Sequence, residues 1–226
     1  MPDINAQFNA PVGIEGSLTV PFGMTGGTGI RVITFPDGVT TQRADRGQYF
    51  LPFNVTQLDS SGLAVRGNRT YFTANTVSKT TTIQTLRFMA ANTAVTGNCY
   101  FSVWSADVNT GNPDRRLYVS PSTVVGSGFA YTSVTNSAGL VTVPPGEFWI
   151  GVSFSSTPTI YASSKNQILN YWGTSDHSSG YRYYFPIVDA TGFTAPINIT
   201  AAGTTFAWVE YTAATNTTPL FQWQPR

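Results

Sequence analysis

IQTLRFMA (83–90), CYFSVWSA (99–106) and GEFWIGVSF (146–154) are the segments whose reading decides the fold. All three are rich in β-branched and aromatic residues, and turn-forming residues close each of them, as expected of a sheet with one buried face. Leu86, Phe88 and Ala90 share one side of the first segment, and Gln84, in the same set, marks where burial begins. Cys99, Phe101 and Val103 alternate with Tyr100, Ser102 and Trp104 in the second. Phe148, Ile150, Val152 and Phe154 alternate with Trp149, Gly151 and Ser153 in the third. A period of two sets each group on one face of a strand.

The flanking sequence continues in the same style. QYFLPF (48–53) reads as a short strand at an edge or strand end, because Pro52 cannot donate to a ladder. LAVRGNRTYFTA (63–74) reads as a hairpin turning at Gly67–Asn68. VPPG (143–146) forces a tight approach into the third segment. Downstream, NQILNYW, YRYYFPIV, TTFAWVEYTA and LFQWQPR follow, separated by polar loops. Short strands with turns between them, no convincing helix and no fixed-period repeat predict an all-β antiparallel sandwich or barrel.

Residues 1–46 differ. They are rich in glycine and poor in aromatics, with short apolar pieces such as LTVPF (18–22) and IRVITF (30–35). None is long enough to build a sheet with its own core. Ile30, Val32, Ile33 and Phe35 would have no use in a plain linker. The expectation is an extended N-terminal arm, residues 1–46, that docks on another subunit, IRVITF adding as a strand to a neighbouring sheet edge. The sandwich occupies residues 47–226.

Composition narrows the function. A chain of 226 residues buries enough surface to need no disulfide or metal staple. Its single cysteine, Cys99, lies on an apolar alternation and reads as a small buried hydrophobe. Charged residues make up 10% of the chain, against about a quarter in an average protein. With a formal charge of +1, no electrostatic partner such as a nucleic acid is expected. The start of the chain has neither a basic region nor an apolar run, and no stretch is apolar for long enough to span a bilayer, so no membrane partner is expected.

Catalytic and ligand-binding patterns are sparse. The one histidine, His177, has Asp176 as its immediate neighbour, and adjacent loop residues do not orient one another as a triad requires. Asp107, Glu147, Asp176 and Glu210 could in principle supply the two facing carboxylates of a glycosidase, but their spacing selects no pair. No catalytic residue is therefore assigned. Asp107, Asn109, Gly111 and Asp114 mimic the start of a calcium loop without the full acidic run or the bidentate Glu, and a surface turn explains the same residues. There is no His/Cys cluster for zinc and no phosphate-cradling glycine loop, so no cofactor is expected. Aromatics are the remaining clue. Tyr171 and Trp172 precede the polar loop that holds His177, and Tyr181 and Tyr183 follow it. Tyr171, Trp172, His177, Tyr181 and Tyr183 form a candidate glycan-binding set, since exposed rings beside polar side chains stack on sugars. The competing reading has these rings cap the sandwich or pack at a subunit interface.

The run from RTYFTANTV to LYVSPSTV (69–124), followed by VTVPPGEFWIGVSFSS (141–156), resembles a domain of bacteriophage tail-fibre and head-fibre proteins. Phe101–Trp104, Asn109–Pro113 and Pro145–Ile150 carry the likeness, which extends from about Tyr49 to the C-terminus. The resemblance implies a jelly-roll-like sandwich on the virion surface, a homotrimer, and either binding of host surface glycan or decoration of the particle. It implies no catalytic residue. Shaft repeats and a chaperone region, typical of main tail fibres, are absent. The expectation is a non-enzymatic virion structural protein, a capsid decoration (cement) protein or short head fibre attached to capsid or tail proteins through residues 1–46. The alternative is a tail-fibre-like receptor-binding head for host polysaccharide.

Overall fold

The computed structural model describes residues 31–34, 40–43, 49–52, 61–91, 97–164, 183–190, 193, 204–210 and 217–226. Among them there is no helix, and the sheets are antiparallel. The chain divides into two compact units, Met1–Asp45 and Arg46–Arg226. In the first, β1 (Arg31–Thr34) pairs with β2 (Thr40–Arg43), Val32 opposite Gln42. Arg31–Thr34, the described part of IRVITF, thus has a pairing partner close by in its own chain.

The second unit contains β3 (Ser61–Ala64), β4 (Arg69–Val77), β5 (Thr81–Met89), β6 (Asn98–Ala106), β7 (Pro113–Val119), β8 (Thr123–Val124) and β9 (Tyr131–Thr135). It continues with β10 (Val141–Val143), β11 (Gly146–Phe154), β12 (Thr159–Ser164), β13 (Tyr183–Ala190), β14 (Thr204–Glu210), β15 (Thr217–Pro219) and β16 (Gln222–Pro225). A curled seven-stranded sheet runs β14-β13-β4-β11-β6-β7, with β8 also on β6. A four-stranded sheet has β5 between β16 and the pair β9 and β10, and a three-stranded sheet runs β15-β12-β3. The bridge Ala90↔Ile160 links these two smaller sheets.

The main core lies between the large sheet and the two smaller ones. Phe88 of β5 sets its ring 5.6 Å from Phe101 and 5.4 Å from Phe154. Trp223 of β16 meets Phe148 edge-on at 5.5 Å. Each such buried ring stabilises the fold by about 1.5–3 kcal/mol. One polar pair in this core is matched: the buried Trp223 Nε1 donates to Asn75 Oδ1 at 3.0 Å, and Asn75 Nδ2 donates to the Thr73 carbonyl at 3.1 Å. Cys99 is fully buried, where the alternation places it.

Three expectations are corrected. First, the central strands of the large sheet are buried on both faces. Phe72, Ala74, Trp104, Trp149 and Val188 form a second core, against which Ala106 and Phe206 pack. Trp104 is paired with Trp149, and its Nε1 donates to Ser102 Oγ at 2.9 Å, which itself donates to the Gly151 carbonyl at 3.0 Å. Gly151 leaves the room this face needs, because a Cβ there would sit 2.9 Å from the Phe72 ring. Second, LAVRGNRTYFTA is not a hairpin: β3 pairs with β12, and β4 pairs with β11 and β13. Asn68, at φ 59, does turn the chain, but the turn hands it from one sheet to the other. Third, Gln84 is not a core position. Gln224 faces Thr85 and Pro225 faces Ile83, so a bulge at Gln84 switches parity, and Ile83 is buried together with Leu86 and Phe88. Farther upstream, Phe50 forms a single bridge with Trp223 and no described strand.

Candidate functional site

Tyr171, Trp172, His177 and Tyr181 lie outside the described residues, and Tyr183 is described only as the first backbone position of β13. Of the four carboxylates, Asp176 also lies outside the described residues and Glu210 is described only as the last backbone position of β14, opposite Tyr183, while the structure describes Glu147 and the whole of Asp107–Asp114.

Asp107 begins the turn between β6 and β7. Its Oδ1 accepts from the Asn109 N–H at 3.0 Å and from both the N–H and the hydroxyl of Thr110 at 2.8 Å. The Thr110 hydroxyl, followed by the two backbone donors, holds this carboxyl below its usual range. Gly111, at φ 71, lets the turn close, its N–H donating to the Asp107 carbonyl. Trp149 Nε1 donates to the Gly111 carbonyl at 2.8 Å, tying the turn to the sheet. Asp107, Asn109 and Gly111 thus belong to an Asx turn, Asp114 lies in β7, and no group of three or more potential metal ligands occurs among the described residues.

Two of the four carboxylates come together. Asp107 and Glu147 both line an open depression of about 390 Å³ at one end of the large sheet, with Leu117, Pro144 and Pro145. Burial pushes the Glu147 carboxyl above its ordinary range, while Asp107 is held down. Opposed shifts are the pattern of an acid and a base. Here the Asp107 shift comes from bonds that shape its own loop, so the pair carries no assignment of chemistry.

The other surface feature was missed in the sequence. On the outer face of the four-stranded sheet, the Arg87 guanidinium lies over two rings, 3.1 Å from the Tyr49 centroid and 4.1 Å from that of Tyr131. Its Nε donates to Gln222 Oε1 at 2.7 Å. Tyr131 is half exposed, and Phe129, two residues before it, is more exposed still, with its ring 6.3 Å from Tyr161. The available signal was FAYTS (129–133), where apolar character falls on Phe129 and Tyr131, the positions opposite the buried Thr132. Without the pairing of β9 to β5, nothing tied that alternation to Arg87.

Comparison of the chain with protein-family models and with curated proteins finds no match.

Proposed function

We propose that this chain is a non-enzymatic structural protein of a tailed-bacteriophage virion, a capsid decoration protein or short head fibre whose sandwich is jelly-roll-like. The observation that carries this reading is the division of the chain into a small N-terminal unit and a large β unit, Met1–Asp45 and Arg46–Arg226. Such a division suits attachment through one part and display of the other. Residues 1–46 would dock on capsid or tail proteins, and the sandwich, as a homotrimer, would face solvent on the virion surface. The low charge supports this, since weakly ionic surfaces pack against neighbours with little desolvation cost. The resemblance of residues 69–124 and 141–156 to fibre-protein domains supports it as well.

Particles with and without the protein, stressed by heat and osmotic shock, test the proposal. Earlier bursting without it identifies a cement, and a chain lacking residues 1–46 should fail to join particles. Incorporation of that truncated chain at the wild-type level would refute attachment through the N-terminal unit. Release of reducing ends from host polysaccharide by the purified protein would refute the non-enzymatic assignment.

A second reading is favoured by the ring-bearing outer face of the four-stranded sheet. There the head itself binds host polysaccharide, and loss of the protein leaves particles intact but unable to adsorb.

A further inference from the structure

Phe129 has a left-handed backbone, φ 53, immediately after Gly128 at φ 60. Left-handed geometry strains any bulky L-residue, and glycine would be the unstrained choice at both positions. The strain is not offset by burial, because Phe129 is 57% exposed. A strained turn whose ring, beside Tyr161, stays more than half exposed gains little from burial, and such features cluster at sites of function.

The surroundings indicate what the ring meets. Tyr131 is 50% exposed and lies against Arg87. Tyr49 and Tyr131 both stack on the Arg87 guanidinium, and Gln222 Oε1 accepts a hydrogen bond from its Nε–H. Among the described residues no carboxylate pairs with Arg87, and no hydrogen bond engages its Nη groups. An arginine fixed by stacking, with its Nη groups uncommitted, is preorganised for a carboxylate in bidentate geometry. Beside it stand ring faces for stacking and the amide of Gln222 for hydroxyl groups.

We infer that Phe129, Tyr131 and Arg87 form a binding platform for an acidic polysaccharide, with Arg87 on a uronate carboxylate and the two rings against sugar faces. This inference rests on the second reading above and assigns it a surface and a ligand class.

The test is affinity electrophoresis of the full chain in gels containing polygalacturonate, dextran or poly(glutamic acid), with thermal unfolding in parallel. Polygalacturonate should retard the wild type, and the other two polymers should not. R87K keeps the charge but loses the planar fork, and it should weaken retention about tenfold or more. F129G should also weaken retention while its Tm stays at or above that of the wild type, because glycine relieves the turn. If F129G lowers the Tm, F129N decides in its place, since asparagine tolerates the left-handed region. No retardation by polygalacturonate overturns the inference. So does equal retention by dextran or by poly(glutamic acid), or wild-type binding by both the R87K and the Phe129 variants. Retention by crude host polysaccharide without retention by polygalacturonate overturns this inference and leaves the second reading standing.

Discussion

The bond between Trp223 and Asn75 joins the last strand to the middle of the large sheet, and its worth can be measured by breaking it from either end. Asn75 is 1% exposed and Trp223 is 3% exposed, so neither side chain can exchange its partner for water. Asn75→Leu keeps the volume but leaves the indole N–H without an acceptor in the core, at a cost of about 1–3 kcal/mol. Trp223→Phe leaves Asn75 Oδ1 unpaired and also removes ring area that packs on Phe50 and Phe148. In the double variant no buried polar group is stranded between the two positions. Its cost should fall below the sum of the single costs by on the order of 1–2 kcal/mol. For a domain of this size each kcal/mol moves Tm by about 2–4 °C, so Asn75→Leu should lower it by roughly 4–8 °C if the penalty is near 2 kcal/mol. Guanidinium unfolding followed by far-ultraviolet circular dichroism gives all four free energies. If the single costs add to within about 0.5 kcal/mol, the two groups are not coupled and the reasoning fails.

Further outcomes follow from other sites. Gly151→Ala would press a methyl onto the Phe72 ring and Ser102 Oγ, and overpacking of this kind should cost about 1–3 kcal/mol, read as a lower denaturation midpoint at unchanged m-value. Burial pushes the Cys99 thiol up to about 12 from an ordinary 9.0, so its contribution is full below pH 9 and is lost as pH rises towards 12. The slope is about 1.4 kcal/mol per pH unit at most. Tyr71 and Tyr118, also raised by burial, steepen the same alkaline decline, so Cys99→Ala is the comparison that isolates the thiol, and equal alkaline slopes for it and the wild type would contradict the assignment. Glu147 is likewise raised by burial, so its contribution is present below the ordinary carboxylate range and is lost as pH rises through the folded value. Glu147→Gln should therefore be the more stable protein at neutral pH, and thermal melts of the two should converge on acidification.

Strand identity was legible in the sequence because alternation is a local property. The segments at 83–89, 99–106 and 146–154 all lie in strands, and Phe101, Val103, Ile150 and Val152 point into the core expected of them. Sheet membership was not legible, since Gly67–Asn68 has the residues of a hairpin turn and only long-range pairing reveals that its flanks belong to different sheets. Nor was the burial of Trp104 and Trp149, because a strand covered on both faces and a strand with aromatic residues in solvent read alike. The bulge at Gln84 hid for a similar reason: one extra residue reverses parity, and only the partner strand records the shift. For the surface patch, the alternation of FAYTS was in the sequence but unread, because the stacking of Tyr131 on Arg87 depends on β9 and β5 lying side by side.

Phe221 and Trp223 also impose an order on biosynthesis. They cover Phe88 and Phe148, yet the ribosome makes them well after either. At a synthesis rate of about 5–20 residues per second, Phe88 waits on the order of ten seconds for Trp223. Over that interval the inner faces of β5 and β11 have no permanent cover from β16, and the nascent chain is open to association with its neighbours on a polysome. Completion of the core is thus a late event, and slowing translation downstream of β11 should lower the soluble yield.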